Sequence, residues 1–309
     1  MITSTNEQFH GLPVVGFPTD RSGPDTLPEP GAVAWRLSVE YAAEGGFDAL
    51  WADFLATVDP ASVRALVIGT WWPHDHEPAE QMLATLAGDA TRLSALEALF
   101  IADVTYEDCE ISWLEMSDIT PVVTAFPQLT ELVVRGGNGL RLSPVRHDRL
   151  VDLRFEAGGL SAELVRGVAA SELPALEGLE LWLGVDDHGG SSDLDDLTPF
   201  LDGTRLPALR HLRLQNSMFQ DEIAAAVAHA PVVARLRTLG LSMGTLTDEG
   251  AAALLDGQPL THLRTLDLHH HYLTDAMQER IRASLPGVAI DLSEPEDPDS
   301  EWRYVAVAE

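Results

Sequence analysis

The chain of 309 residues contains one cysteine, Cys109. A single thiol excludes an internal disulfide and any cysteine-rich zinc site, and it suits a reducing compartment. Long apolar runs are also missing, since no stretch approaches the roughly 18 uncharged apolar residues that a membrane-spanning helix requires. The opening MITSTNEQFHGL has neither a basic n-region nor an apolar h-region, so no export signal is expected. Basic residues are scarce, 19 against 49 acidic ones, for a formal charge of −30. Such a surface repels phosphate backbones and anionic lipid, which argues against nucleic acid and membranes as partners. The same acid keeps a long chain in solution. Together these features lead to the expectation of a cytoplasmic protein.

Catalytic signatures are absent too. His188-Gly189-Gly190 has the look of an oxyanion loop, but no G-x-S-x-G elbow supplies a nucleophile. Gly136-Gly137-Asn138-Gly139 follows a predicted strand, yet no Gly-Lys-Ser/Thr completes a phosphate loop. Asp186, Asp187, Asp193, Asp195 and Asp196 lack the spacing and glycine of a calcium loop. His74-x-His76 and His269-His270-His271 have no matched carboxylate at a recognisable spacing, and adjacent strand residues face opposite ways. With no paired-carboxylate or cysteine-histidine arrangement either, the expectation is a non-enzyme with no catalytic residue, no metal and no cofactor.

What the chain does have is a leucine pattern, L-x-x-L-x-L, that returns seven times: at Leu96-Leu99-Ile101, Leu129-Leu132-Val134, Leu150-Leu153-Phe155, Leu176-Leu179-Leu181, Leu209-Leu212-Leu214, Leu236-Leu239-Leu241 and Leu263-Leu266-Leu268. A weaker copy precedes them at Val63-Leu66-Ile68, and a truncated one follows at Ile290-Leu292. Counted from Val63, the starts are separated by 33, 33, 21, 26, 33, 27 and 27 residues. That is the period of a repeat with one strand and one helical return per unit. In LRTLGLSMGTLTDEGAAALLDGQPLTH a short strand and a turn lead to Thr247 as helix N-cap, with Asp248 and Glu249 in the first turn. Thr274 takes the same place in the next unit, and Ser161 and Gln220 occupy the same slot in theirs. The fold class expected is α/β: a solenoid, or horseshoe, with a parallel sheet lining its concave face and helices on its convex face.

These units resemble the ribonuclease-inhibitor type of leucine-rich repeat, and LTDEGAAALL is nearly its consensus. At finer grain, GAVAWRLSVE, LELWLGV, APVVARL and LDLHHHYLTDAM are similar to segments of a bacterial leucine-rich-repeat family with no established activity. Its genes often sit beside radical-SAM and ATP-grasp enzymes, which implies a biosynthetic or modification setting. No catalytic residue carries over from it. The chain departs from the usual repeat where an asparagine is expected nine residues into each unit: those places hold Val104, Gly137, Gly158, Gly184, Ser217, Gly244 and His271. Without a buried asparagine ladder, the turns must satisfy their backbone groups by other means.

The expected organisation is an N-terminal arm at 1–30, a capping βα unit at 31–62, about eight repeats at 63–292, and an acidic linker with a C-terminal cap strand at 293–309. In the cap unit, Gly31 to Glu40 alternates like a strand and Phe47 to Val58 has helical spacing. At the far end, Trp302 to Val307 alternates and suits an edge strand that closes the array.

Because strand side chains alternate, positions one, four and six of each repeat point inward, and three, five and seven outward. The fifth-position row reads Val67, Phe100, Val133, Arg154, Glu180, Arg213, Gly240, Asp267; the seventh reads Gly69, Ala102, Arg135, Glu156, Trp182, Gln215, Ser242, His269. The expected partner-binding residues are Arg154, Glu156, Glu180, Trp182, Arg213, Gln215, Asp267 and His269, facing another protein or a peptide. An exposed tryptophan beside arginines is the composition of an interface hot spot. The plainer alternative for Arg154, Glu180 and Arg213 is a cross-strand ion-pair ladder worth about 0.2 to 1 kcal/mol per pair. For Val67, Phe100 and Val133 it is cover by the arm segment FHGLPVVGFP. Loops leaving the strand C-termini share one rim, where Trp71, Trp113, Asp187, His188 and His270 are candidates for a small-molecule pocket, by analogy with open parallel sheets.

Overall fold

The computed structural model describes residues 2–18, 27–74 and 76–309. It is an α/β protein with one open, mostly parallel sheet of twelve strands and, among the described residues, eight α-helices. The strands follow the chain: β1 (Gln8–Phe9), β2 (Leu12–Phe17), β3 (Ala34–Leu37), β4 (Ala65–Ile68), β5 (Ala98–Ile101), β6 (Glu131–Arg135), β7 (Asp152–Glu156), β8 (Gly178–Gly184), β9 (His211–Ser217), β10 (Thr238–Gly240), β11 (Thr265–Asp267) and β12 (Ala289–Asp291). Each pairs with its neighbours in sequence, all in parallel except β1 with β2. The helices are α1 (Gly46–Thr57), α2 (Glu80–Gly88), α3 (Thr120–Ala125), α4 (Ala162–Ala170), α5 (Leu194–Leu201), α6 (Gln220–Val227), α7 (Asp248–Asp256) and α8 (Asp275–Ser284).

The leucine period explains this order. A register of Leu66, Leu99, Leu132, Leu153, Leu179, Leu212, Leu239, Leu266 and Ile290 runs unbroken across nine strands. All but Ile290, on the last strand, are buried. Each buried leucine contributes about 1.5 to 3 kcal/mol, so a one-residue slip of any strand would turn that row out to water. Leucines at positions one and six join the same core, between the sheet and the returning helices. The 21-residue unit is too short for a helix, and none forms between β6 and β7. His147 closes that return instead: it is buried, its Nε2 lies 3.1 Å from the Phe126 carbonyl, and Leu150 N donates to its Nδ1.

Helix starts follow the caps. Thr247 accepts from Glu249 N and Thr274 from Met277 N, each at 3.2 Å, and each hydroxyl donates to an aspartate of the preceding helix, Asp221 or Asp248. Ser161 caps α4 through Leu164 N. Gln220 does not cap. It is the first residue of α6, fully buried, and its side chain donates to the Leu214 carbonyl, because a long amide reaches back into the core more readily than it folds onto its own helix.

In the asparagine places the turns bond one another directly: Val185 N donates to the Gly158 carbonyl and Thr245 N to that of Ser217. A Cβ at Gly184 would meet the Gly158 carbonyl oxygen at 1.9 Å, so close stacking of the turns requires glycine there. His271 is completely buried and spans two turns, with Nε2 3.3 Å from the Leu292 carbonyl and Nδ1 accepting from Leu273 N.

Both ends differ from expectation. The sheet begins inside the segment read as an arm, since β1 and β2 form a tight hairpin through His10 and Gly11, both at positive φ. β2 then pairs with β3, ahead of the strand expected to start the stack. At the other end, β12 is the edge, and Trp302 to Val307 forms no strand. Its bonds go sideways, to Asn216, Met243 and Tyr272, so it lies across strand ends rather than along an edge. Val305 and Val307 are buried by this path, while Trp302 is 85% exposed.

Candidate binding surface

The fifth-position row is realised in full register, Val67 to Phe100 to Val133 to Arg154 to Glu180 to Arg213 to Gly240 to Asp267, and it continues to Asp291. It divides into three parts with different chemistry. The apolar start is covered: Phe9, from the β1–β2 hairpin, packs edge-on against Phe100 at 5.8 Å, and with Val67 and Val133 it belongs to a second small core. Leu12 and Val14 flank it.

The middle is a chain of alternating charge. Arg36 bonds Asp103; Arg135 bonds Asp103 at 3.4 Å and Glu156 at 2.8 Å; Arg154 lies 3.2 Å from Glu156 and 3.4 Å from Glu180; Arg213 lies 3.5 Å from Glu180. Asn6 reinforces the start, donating to both oxygens of Asp103 and accepting from Arg36. The sequence has no lysine, so every cationic link is a guanidinium, whose planar fork can serve two carboxylates at once. Burial acts against the charge on Arg154, but Glu180 and Glu156 outweigh it and hold its pKa above the ordinary value.

Exposure separates the members. Asp103, Arg135 and Glu156 are buried, so Glu156, expected on the open surface, is an internal link of the ladder. The Arg154 and Arg213 side chains remain 40% and 36% exposed. Trp182 is half-buried rather than exposed. It packs against the core edge, and its indole N–H donates to Glu180 at 2.8 Å, because Glu180 sits two residues before it on the same face. Gln215 is buried, donating to Ser242 and, at 3.3 Å, to Asp267. Asp267 in turn holds His269, Oδ1 to Nδ1 at 2.7 Å, and that bond raises the pKa of His269. Next to the ladder, burial and the nearby Glu131 push the Asp152 carboxyl up.

The rim residues separate. Trp113, 64% exposed, lines a cleft of about 600 Å³ together with Asp187, His188, Asn138, Arg141 and Glu163. Trp71 is not there: it is buried, crossed edge-on by Trp72 at 4.7 Å, with its N–H on the Glu77 carbonyl. A WW pair after a strand fills core before it lines a rim. His270 is also elsewhere, buried between Tyr272 and Tyr304 with Nε2 3.1 Å from the Tyr304 carbonyl. Sequence reasoning missed Asp103, Asn6 and Arg36. Asp103 and Arg36 carried a signal, a lone charge beside or within an apolar strand, with Arg36 in register with Val67. Alternation alone does not pair them, and Asn6 carried no signal.

The fold has a solved counterpart. A Bacteroides fragilis protein determined as a structural genomics target is similar at 29% identity and a TM-score of 0.78, over 87% of this chain and 76% of that one. No family model and no curated protein matches the chain. Among the described residues, no helix is long and apolar enough to cross a membrane.

Proposed function

We propose that the chain is a leucine-rich-repeat solenoid of the ribonuclease-inhibitor type, and that it binds another protein or a peptide in the cytoplasm on its strand face, without catalysis. The observation that carries this reading is the patch left open in the fifth-position row. The apolar start lies under Phe9, whereas Arg154 and Arg213 keep more than a third of their side-chain surface in water beside Trp182. Half-closed guanidiniums around one glutamate next to an anchored indole are the elements of a desolvating hot spot. Although each is paired with Glu180, both guanidiniums keep N–H donors in water, which suits a partner segment that brings carboxylates to that spot. The test is affinity purification from the native cell with wild type and Trp182→Ala in parallel. Truncating a hot-spot tryptophan weakens binding by at least about 2 kcal/mol, roughly thirtyfold. Capture that survives Trp182→Ala and Arg213→Ala but fails with Trp113→Ala would replace the strand face by the rim.

A second reading has its own support. The 600 Å³ cleft that joins Trp113, Asp187 and His188 suits a small molecule handled by a biosynthetic or modification enzyme cluster, with this chain as accessory protein.

A further inference from the structure

The charge alternation on the strand face stops at Arg213, and the acids go on. Asp103, Glu156 and Glu180 each contact an arginine. Asp267 and Asp291 do not: they stand opposite each other in register on β11 and β12, where like charges repel. Among the described residues, no arginine forms an ion pair with either, and the one group there able to carry positive charge is His269. His269 and Asp267 lie two apart, so they share a face, and Asp291 reaches the same spot from the next strand. One ligand atom from each of the three lies within 4.8 Å of the others.

We propose that Asp267, His269 and Asp291 bind a single divalent transition-metal ion, with Zn²⁺ as the best-suited probe. One imidazole and two carboxylates form a mixed nitrogen and oxygen set, which suits zinc and its first-row neighbours better than calcium, whose ligands are all oxygen. A tetrahedral ion with bonds near 2.1 Å holds its ligand atoms about 3.4 Å apart, a span that small side-chain rotations here can reach. His269 Nδ1 and Asp267 Oδ1, at 2.7 Å, share a proton where the ion would sit, so binding replaces a proton by a metal and separates them slightly. Asp267 is held from behind by Gln215, as ligating carboxylates commonly are. The Asp291 bonds from Ser293 N and Oγ both go to Oδ1, so Oδ2 takes no part in that turn. Three protein ligands leave a tetrahedral ion one position for water. The sequence conceals this site because its third ligand comes from the following repeat, 22 positions beyond His269.

The experiment is calorimetric titration of the full, chelator-treated chain with Zn²⁺ at pH 7.5, alongside His269→Ala, Asp291→Asn and, as a control away from the site, His76→Ala. One ion per chain is expected in wild type and His76→Ala, with affinity at least tenfold weaker in the other two. Co²⁺ in place of Zn²⁺ should give visible d–d bands that vanish in Asp291→Asn. Asp291 is exposed at the sheet edge, so its amide variant keeps the fold, and an unchanged metal-free melting temperature verifies that. Absence of stoichiometric binding by wild type, or equal binding by wild type, His269→Ala and Asp291→Asn, would overturn the proposal.

Discussion

Asn216 grips the backbone of Val307 from both sides: its carboxamide oxygen accepts from Val307 N at 3.0 Å, and its amide donates to the Val307 carbonyl. Asn216 is completely buried, at the end of β9 with φ 57°, a left-handed conformation that asparagine tolerates better than most residues. The C-terminal segment is thereby tied across the strand ends. Asn216→Ala leaves the buried groups of Val307 unpaired, at a cost of about 1 to 3 kcal/mol. Deleting residues 294–309 exposes more and should lower the melting temperature further. An unchanged melting curve for the deletion would mean that the segment does not stabilise the body.

Phe9 is the lid of the apolar start. Its truncation to alanine opens the second core over Val67, Phe100 and Val133, and core Phe-to-Ala changes typically cost about 3 to 5 kcal/mol. Increased binding of a hydrophobic dye should accompany the loss in denaturant titration. If stability and dye binding both stay at wild-type levels, the hairpin does not seal that face in solution.

The charge ladder should respond unequally to truncation. Arg135→Ala leaves Asp103 and Glu156 as buried carboxylates short of a partner, and breaking such pairs costs about 3 to 5 kcal/mol. Arg213, open to water and salt, should cost under about 1 kcal/mol when truncated. Chemical denaturation of the two variants measures the contrast, and equal losses would contradict the burial difference between them.

Cys109 should be inert in the native chain. Burial pushes its thiol up to about 11 from 9.0, with Glu110 and Asp108 adding to the shift. At pH 8 the thiolate fraction then falls about hundredfold, and alkylation slows at least as much until the chain is unfolded. Because the folded pKa is raised, the stabilisation linked to it is present below pH 9.0 and is lost as the pH rises through about 11. Equal alkylation rates in buffer and in denaturant would show that Cys109 is accessible.

Much of the strand face was legible in advance because a strand has a period of two and the leucines set its phase. That is why Arg154, Glu180 and Arg213 fall side by side in the order their spacing implies. Local chemistry was equally readable at Thr247 and Thr274, where a hydroxyl and an acidic turn act within one helix turn.

What the repeat pattern could not decide was which residues of the two ends meet the strands. Cover of the apolar start by the segment that begins at Phe9 was one expected alternative, and Phe9 does pack on Phe100. Nothing periodic signals, however, that Asn6 finds Asp103 or that Val307 finds Asn216, across 97 and 91 positions. Those contacts depend on how two ends without the repeat pattern settle on a surface that the repeats have already built. Exposure followed the same division. Trp182 and Glu156 occupy the face their positions imply, but the neighbours that half-bury one and enclose the other come from adjacent strands. Periodicity specifies the direction of a side chain, and only packing decides how much water remains at its end.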